Sequence, residues 1–470
     1  MGRQGRWLVA FVLAMVWTSA AFALDLPADC GSRNTSTTGS RGNGKGCGDG
    51  KSDDTLAILF WLMSLPPGGG PASTGPGGAT IPGTPGLAPP PVFAATPALN
   101  PGQFRPNEVL VVLQPGATAD IAAALGRDYA LQLEVYTPSH ALRTAVVRFR
   151  IPDARSVTAV LAALSRDPRV RASQPNYIYR PAAGAALPAA GLPQYALDLI
   201  HAHEALARLT GGLTPLVAVI DTGIDESHPD LAGAVRERFD AAGDGKWDVG
   251  AHGTSIASIV AARGQLQGVD PQAALLSVRA FPAVEGAGAT EATSLALLRG
   301  LDWSLAEHAD VINMSLAGPA DPLVDAAVEE AMAAGVIVVA AAGNGGPDAP
   351  PAYPAAVKGV VAVTATDDKD QLFKGANRGD YISLAAPGVD IISAAPGGGV
   401  ALATGTSQAA AQVSGVLAIL RALRPGLTPA AALELLGRTA KVMGPAGKDQ
   451  GYGAGRVDAA AAVAGLAAGP

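Results

Sequence analysis

Residues 216–225 read LVAVIDTGID, an unbroken apolar run that ends in an acidic turn containing a glycine. Such a run is typical of a strand buried on both faces, as in a parallel sheet that helices cover. Similar apolar runs recur further along the chain, at Val311–Leu316, Val336–Ala342 and Val360–Thr364. Helical patterns lie between them, notably over Pro322–Ala333 and Thr406–Leu423. This alternation predicts an α/β domain over residues 192–470, with a parallel sheet and helices on both faces.

Three polar residues stand at the boundaries of these predicted elements. Asp221 directly follows the LVAVI strand, His252 opens the segment HGTS, and Ser407 lies in GTSQAA at the start of a long helix. Each alone has a structural explanation, because such residues commonly cap turns and helices. Together they suit nucleophilic catalysis: an imidazole activates a serine hydroxyl, and a carboxylate fixes the tautomer of the imidazole. The sequence therefore predicts a catalytic triad of Asp221, His252 and Ser407.

A fourth candidate is Asn344, which follows an apolar strand in the segment AAAGN. The tetrahedral intermediate of acyl transfer needs hydrogen-bond donors aimed at its oxyanion. The side-chain amide of Asn344, with a backbone N–H at the start of a helix, supplies two such donors. We therefore expect Asn344 to contribute to an oxyanion hole.

These motifs, in the chain order Asp, His, Ser, resemble the subtilisin family of serine proteases. The resemblance covers residues 192–464 and rests on Asp221-Thr222-Gly223, His252-Gly253-Thr254, Asn313-Met314-Ser315-Leu316, Gly343-Asn344, Gly405-Thr406-Ser407 and Gly453–Ala459. It implies a subtilisin-like fold and hydrolysis of peptide bonds through an acyl-enzyme. Asp221 would orient the imidazole, His252 would act as general base and then acid, and Ser407 would attack the carbonyl. The Ser407 N–H would join Asn344 in the oxyanion hole.

The resemblance also implies a groove for protein or peptide substrates. An extended substrate would pair with a strand of four residues, Ser315, Leu316, Ala317 and Gly318. The pocket for the residue before the cleaved bond would be lined by Ala341, Ala342 and Gly343. Their small size favours an apolar side chain in that pocket.

Several positions depart from the family pattern. Gln408 stands where the family commonly has methionine, and Ala317 where it usually has glycine in the substrate strand. The loop Arg263–Gly268 lacks the insertion that forms a calcium site in many relatives. Asp230 matches one family calcium ligand, but without that loop we interpret it as a turn residue. We expect neither a metal site nor a cofactor, and calcium has no support in the sequence.

Residues 107–182 predict a small α+β domain of the order β-α-β-β-α-β. A buried strand is expected at Val109–Leu113, helices at Thr118–Leu125 and Ser156–Ser165, an alternating strand at Arg143–Ile151 and a last strand at Val170–Ser173. Its position before a protease-like domain, and its tail Gln174–Tyr177, resemble the inhibitory pro-regions of the family. The resemblance implies a ferredoxin-like pro-domain that inhibits its own enzyme.

The N-terminal residues predict export. Arg3 and Arg6 precede an apolar stretch, and Ala21-Phe22-Ala23 fits a signal-peptidase site, so residues 1–23 read as a signal peptide; a membrane anchor is the alternative. Residues 24–65 contain the two cysteines of the chain, Cys30 and Cys47, which either pair in an oxidising compartment or stay as thiols. The same segment contains a short apolar run, Thr55–Leu65, which is too short to cross a bilayer as a helix. We therefore expect secretion, or location in the cell envelope or periplasm.

Two segments of the chain are rich in proline, glycine and alanine. Residues 66–106 form a predicted linker, because this composition cannot bury enough apolar surface to offset ordering. Residues 183–191 form a second, cleavable linker between the pro-domain and the catalytic domain.

The bulk charge excludes one class of partner. The net charge of −7 over 470 residues argues against nucleic acid, whose phosphates need a basic face. We expect a monomer that binds protein or peptide substrates and its own pro-domain. Two other readings keep most of the motifs: an inactive relative that binds peptides, and a transpeptidase or cyclase that excludes water.

Overall fold

The computed structural model describes residues 91, 93, 99–181, 187–188, 194–209, 211, 213–282, 291–444 and 449–467. These residues belong to one compact unit, Pro85–Pro470. The predicted signal peptide, the cysteine segment with the apolar run Thr55–Leu65 and most of both predicted linkers lie outside the described residues. None of the helices in the described ranges is both long and apolar enough to cross a membrane.

The N-terminal domain has the predicted β-α-β-β-α-β order. Its elements are β1 (Phe104–Leu113), α1 (Ala119–Asp128), β2 (Gln132–Ser139), β3 (Thr144–Arg150), α2 (Val157–Leu164) and β4 (Val170–Pro181). Alternation in β3 puts Val147 and Phe149 into the core beneath the helices, as predicted. Ser156 caps α2 by accepting a hydrogen bond from the Ala159 N–H, whereas Thr118 makes no such bond at α1.

Two boundaries of the N-terminal domain differ from the sequence prediction. β1 begins at Phe104, inside the predicted linker. The last strand does not end at Ser173 but continues to Pro181, through the residues expected to form a tail. It continues because β4 has strand partners outside its own domain, which the local sequence does not reveal.

The C-terminal domain contains the predicted parallel sheet. Its elements are β5 (Leu187–Pro188), α3 (Tyr195–Leu199), α4 (Ala202–Leu206), β6 (Leu216–Asp221), β7 (Val235–Asp240), α5 (Ala251–Ala261), β8 (Ala274–Arg279), β9 (Ala292–Thr293), α6 (Ser294–Ala306), β10 (Val311–Met314), β11 (Leu316–Ala317), α7 (Pro322–Ala333), β12 (Ile337–Ala341), β13 (Val361–Thr366), β14 (Leu384–Pro387), β15 (Ile391–Ala395), β16 (Gly399–Ala403), α8 (Thr406–Leu423), α9 (Pro429–Thr439) and α10 (Ala459–Ala467). The large sheet has the order β14-β13-β12-β10-β6-β8-β7, and its pairings are all parallel.

This strand order fixes where a site can form. From β6 the chain goes to the edge strand β7 and returns to β8 beside β6. It then crosses to β10 on the other side of β6 and continues outward through β12, β13 and β14, so the direction reverses beside β6. Ligands of such sheets bind beyond the carboxyl ends of the strands at this reversal. Asp221 ends β6, and Ser315 directly follows β10.

The two domains share strand pairing. β4 pairs with β1 in its own domain and also, antiparallel, with β11 and β9 of the C-terminal domain. The β11-β4-β1-β3-β2 sheet is therefore built from both domains. A smaller sheet joins β15, β16 and β5.

Helix α8 packs so closely against Val269, in the loop between α5 and β8, that a glycine is required at position 415. A Cβ at Gly415 would lie 2.5 Å from Val269 Cβ, whereas a Cβ at Gly437 in α9 would meet its nearest atom only at 3.8 Å. Alanine gains roughly 1 kcal/mol over glycine within a helix, and overpacking costs about 1–3 kcal/mol. We expect Gly415→Ala to lower the thermal unfolding midpoint and Gly437→Ala to raise it slightly. Equal midpoints for the two variants would show that Val269 can move aside.

Candidate active site

Asp221 and His252 meet at the carboxyl end of β6. His252 Nδ1 lies 2.7 Å from Asp221 Oδ1 and 2.8 Å from Oδ2. The Asp221 side chain is 1% exposed and that of His252 13%. A carboxylate only accepts hydrogen bonds, so Nδ1 carries the proton and Nε2 is left as the acceptor end of the imidazole.

Glycines near these two residues allow three backbone segments to approach closely. A Cβ at Gly223 would lie 2.1 Å from Asp248 O, and a Cβ at Gly253 would lie 2.3 Å from Thr222 O. Thr222 Oγ1 accepts a 2.8 Å hydrogen bond from the Gly253 N–H. The Asp-Thr-Gly and His-Gly-Thr motifs thus interlock, and their glycines are required by contact with neighbouring backbone.

A buried arginine holds the loop that leads to His252. Arg279, at the end of β8, is fully buried and donates from its two terminal nitrogens to Asp240, Asp244 and Asp248 at 2.7–2.9 Å. The hydrogen bond from Arg279 holds the pKa of Asp244 below its usual range. Because Arg279 pairs with Asp221 between strands β8 and β6, it anchors the His252 loop directly beside the Asp221 strand. The sequence prediction missed this cluster, although the spacing of four between these aspartates was a visible signal.

Ser407 is the second residue of α8 and is not its N-cap; Gly405 takes that position. The side chain is fully buried, and its hydroxyl donates to the Ser315 carbonyl oxygen at 3.0 Å. His252 Nε2 is also buried and has no hydrogen-bond partner among the described residues. The structure therefore brings Asp221 and His252 into contact, while the Ser407 hydroxyl is bonded to Ser315.

Asn344 is held by the residue that precedes Ser407. Its Oδ1 accepts hydrogen bonds from the Thr406 N–H at 3.1 Å and from Thr406 Oγ1 at 2.9 Å. The Gly343 N–H also lies 3.1 Å from Thr406 Oγ1. These contacts turn the donor end of the Asn344 amide away from Thr406. The same hydrogen bonds connect the residues that follow β12 to the start of α8.

The predicted substrate strand is occupied by the chain itself. Leu316 pairs with Pro181, and Ala317 pairs with Arg180. Beside this strand lies a cavity of about 440 Å³, to whose lining Ala317, Gly318, Gly343 and Asn344 contribute. Ala341 and Ala342 are fully buried.

The profile of the subtilase family matches residues 212–455, which is about half of the chain. The chain belongs to the subtilase family. A second profile, that of the fervidolysin N-terminal prodomain, matches residues 90–176. The subtilase is thus a subtilisin-type serine protease with a prodomain, which confirms the resemblance and the fold class expected from sequence.

Individual relatives agree with this assignment. The subtilase is 37% identical over 239 residues to the major intracellular serine protease of Bacillus subtilis, covering 48% of this chain and 74% of that protein. It is 35% identical over 265 residues to the minor extracellular protease Epr of the same species, covering 56% of this chain and 41% of Epr. The crystal structure of fervidolysin from Fervidobacterium pennivorans, a keratinolytic enzyme related to subtilisin, has the same fold, with a TM-score of 0.67 at 24% identity. That match covers 80% of this chain and 63% of fervidolysin.

Asp230, which matches a family calcium ligand, is hydrogen-bonded within the protein. Asp230 Oδ1 accepts a hydrogen bond from the Gln265 N–H at 2.5 Å and so ties down the Arg263–Gly268 loop. A Cβ at Gly264 would lie 2.2 Å from the same oxygen. Across the described ranges, no group of three or more His, Cys, Asp or Glu side chains is arranged to hold a metal ion.

These contacts generate a prediction about metal dependence. We expect chelator to leave the thermal unfolding midpoint almost unchanged, because Asp230 bonds to backbone and the three aspartates around Arg279 accept hydrogen bonds from its guanidinium. The control is chelator saturated with calcium beforehand. A fall of about 10 °C or more, reversed by calcium, would contradict this expectation, since a ligand bound only to the native state raises the midpoint in this way.

Proposed function

We propose that this subtilase is a serine endopeptidase that hydrolyses peptide bonds through an acyl-enzyme on Ser407, and that it is secreted as a self-processed precursor. The observation that carries the proposal is the short Asp221–His252 contact. Ser407, the proposed nucleophile, is buried at the start of α8. Location in the extracellular space, the envelope or the periplasm is supported by the signal-peptide pattern of residues 1–23.

The proposed reaction begins with a turn of the Ser407 hydroxyl. The hydroxyl leaves the Ser315 carbonyl and donates to His252 Nε2, which takes the proton as Oγ attacks the substrate carbonyl. Asp221 stabilises the imidazolium, and His252 then gives the proton to the leaving amine. Water enters, His252 again acts as base, and hydrolysis of the acyl-enzyme regenerates the Ser407 hydroxyl.

The oxyanion of each tetrahedral intermediate would be bound by Asn344 Nδ2 and the Ser407 N–H. Support comes from the two hydrogen bonds that fix Asn344 Oδ1 to Thr406, because an anchored donor costs little reorganisation during the reaction. The base, the acid and the oxyanion donors are all groups of the chain, and water is the other reactant, so we propose a reaction without a cofactor. A monomer suffices, since all the groups named come from one chain.

The N-terminal domain would act as an intramolecular inhibitor. Its strand β4 pairs with β11, the strand expected to bind substrate. Pro181 pairs with Leu316, and the carbonyl of the neighbouring Ser315 bonds to Ser407, so this pairing brings the end of β4 to the proposed nucleophile. We therefore assign the first self-cleavage to the bond between Ala182 and Ala183.

Two other functions would keep the same residues. An inactive peptide-binding relative would not be labelled by a fluorophosphonate, whereas a protease would be labelled at Ser407. A transpeptidase or cyclase would be labelled but would join peptides, so analysis of the products separates it from a hydrolase.

The maturation step can be tested directly. In a host without other proteases, Ser407→Ala should accumulate as precursor, because the nucleophile for self-cleavage is lost. Wild-type protein should release an N-terminal fragment whose mass ends at Ala182. Mature-sized protein from the Ser407→Ala variant would contradict self-processing, and a fragment ending elsewhere would contradict the assigned bond.

The oxyanion donor can be tested by kinetics. In subtilisin, loss of one oxyanion donor lowers turnover by about 10²–10³, and we expect the same range for Asn344→Ala. KM should change little, because the donor acts on charge that develops in the transition state. Asn344→Asp is a useful companion, since it keeps an acceptor for Thr406 but removes the amide donor. A loss of less than about fivefold in both variants would show that Asn344 does not serve the oxyanion.

A further inference from the structure

Tyr179 of strand β4 inserts its ring into the surface of the C-terminal domain. It is fully buried and belongs to the apolar cluster that contains Leu316 and Leu323. Gly318 makes room for the ring, because a Cβ at that position would lie 2.3 Å from Tyr179 Cδ1. The ring therefore fills an apolar pocket next to the substrate strand.

The hydroxyl of Tyr179 meets a carboxylate at the end of this pocket. Tyr179 OH donates to Asp321 Oδ2 at 3.0 Å, and Ser294 Oγ donates to the same oxygen at 2.6 Å. Asp321 is fully buried and is the N-cap of α7, where Oδ1 accepts from the Leu323 and Val324 N–H groups. Burial raises the pKa of Asp321, and hydrogen bonds from Ser294 and from Gln174 oppose that rise.

We propose that Asp321 is a specificity-determining residue that selects substrates with tyrosine, rather than phenylalanine, at the position of Tyr179. Given the proposed cleavage after Ala182, this is the fourth residue before the cleaved bond. The inference rests on the proposed protease function and names the substrate class of that site. A phenylalanine would fill the same apolar pocket but would leave a buried carboxylate oxygen without one of its donors, which is costly.

Only part of the Asp321 environment is available to a short substrate. Gln174 Nε2 also donates to Asp321 Oδ1, at 2.7 Å. Gln174 lies five residues before Tyr179, so a short peptide substrate has no residue in its place. Within the strand next to the cleaved bond, Tyr179 supplies the contact to Asp321.

Tyr177 provides a matched control on the same strand. It is also buried, yet its hydroxyl has no hydrogen-bond partner among the described residues. Loss of the Tyr177 hydroxyl removes the same atom from the same strand without removing a bond to Asp321.

The test uses the processed wild-type enzyme and internally quenched peptides with the sequence of residues 176–188. Replacement of the second tyrosine, Tyr179→Phe, should lower kcat/KM by roughly ten- to a hundredfold, as loss of a hydrogen bond to a charged group predicts. Replacement of the first, Tyr177→Phe, should change it by less than about threefold. Quenched peptides report cleavage at any bond, so the outcome does not depend on the assigned position.

A variant of the enzyme at Asp321 completes a double-mutant cycle with the two peptides. Asp321→Ser keeps a side chain that can cap α7 but is too short to reach the phenol. It should hydrolyse the tyrosine and phenylalanine peptides at similar rates, and activity on the phenylalanine peptide shows that it has folded. If Asp321→Ser does not fold, the comparison of the tyrosine and phenylalanine peptides on wild-type enzyme still tests the proposal.

Equal rates for the two peptides on wild-type enzyme would overturn the inference, as would an undiminished preference in Asp321→Ser. These results leave the protease function intact when a fluorophosphonate labels Ser407. Absence of both labelling and cleavage would instead refute the protease function, and this inference with it.

Discussion

The hydrogen bond between His252 Nδ1 and the Asp221 carboxylate is the interaction on which the rest of the site depends. The bond forms only if the start of α5 and the end of β6 come close enough for His252 Nδ1 to lie 2.7 Å from Asp221 Oδ1, with both side chains largely removed from water. Close backbone contact at Gly223 and Gly253 permits this approach, and Arg279 keeps the intervening acidic loop in place. Burial strengthens the contact, because water no longer competes for the carboxylate.

The second constraint is that one strand serves two domains. β4 completes the sheet of the N-terminal domain through β1 and, further along, pairs with β11 in the catalytic domain. Pro175 and Pro181 lack N–H donors, yet both lie within β4 and pair with neighbouring strands. In the proposed maturation, the strand that occupies the groove also carries the bond to be cleaved, so inhibition and processing would share one geometry.

Buried polar groups give this interface its specificity. Asp321 receives hydrogen bonds from both domains, through Tyr179 and Gln174 on one side and Ser294 on the other. Asn176 adds a further link, because its Oδ1 accepts a hydrogen bond from the Leu295 N–H at the start of α6. Two helix N-termini of the catalytic domain thus meet polar side chains of the N-terminal domain, which favours one register of β4 over its neighbours.

The sequence by itself determined the elements whose signal is local. The LVAVI run, the helix at Thr406–Leu423 and the alternation at Val147 and Phe149 are visible because hydrophobic periodicity follows directly from burial. Residue chemistry and motif spacing likewise brought Asp221, His252, Ser407 and Asn344 into one hypothesis.

Only the tertiary structure decided features that join distant residues. The length of β4, the three aspartates around Arg279 and the Tyr179–Asp321 contact depend on partners that lie from about 30 to more than 140 residues away. The orientation of the Ser407 hydroxyl toward Ser315 is also a tertiary property, because a side-chain rotamer responds to its neighbours in space. Local sequence reports what each segment can do, and packing selects which of those contacts is made.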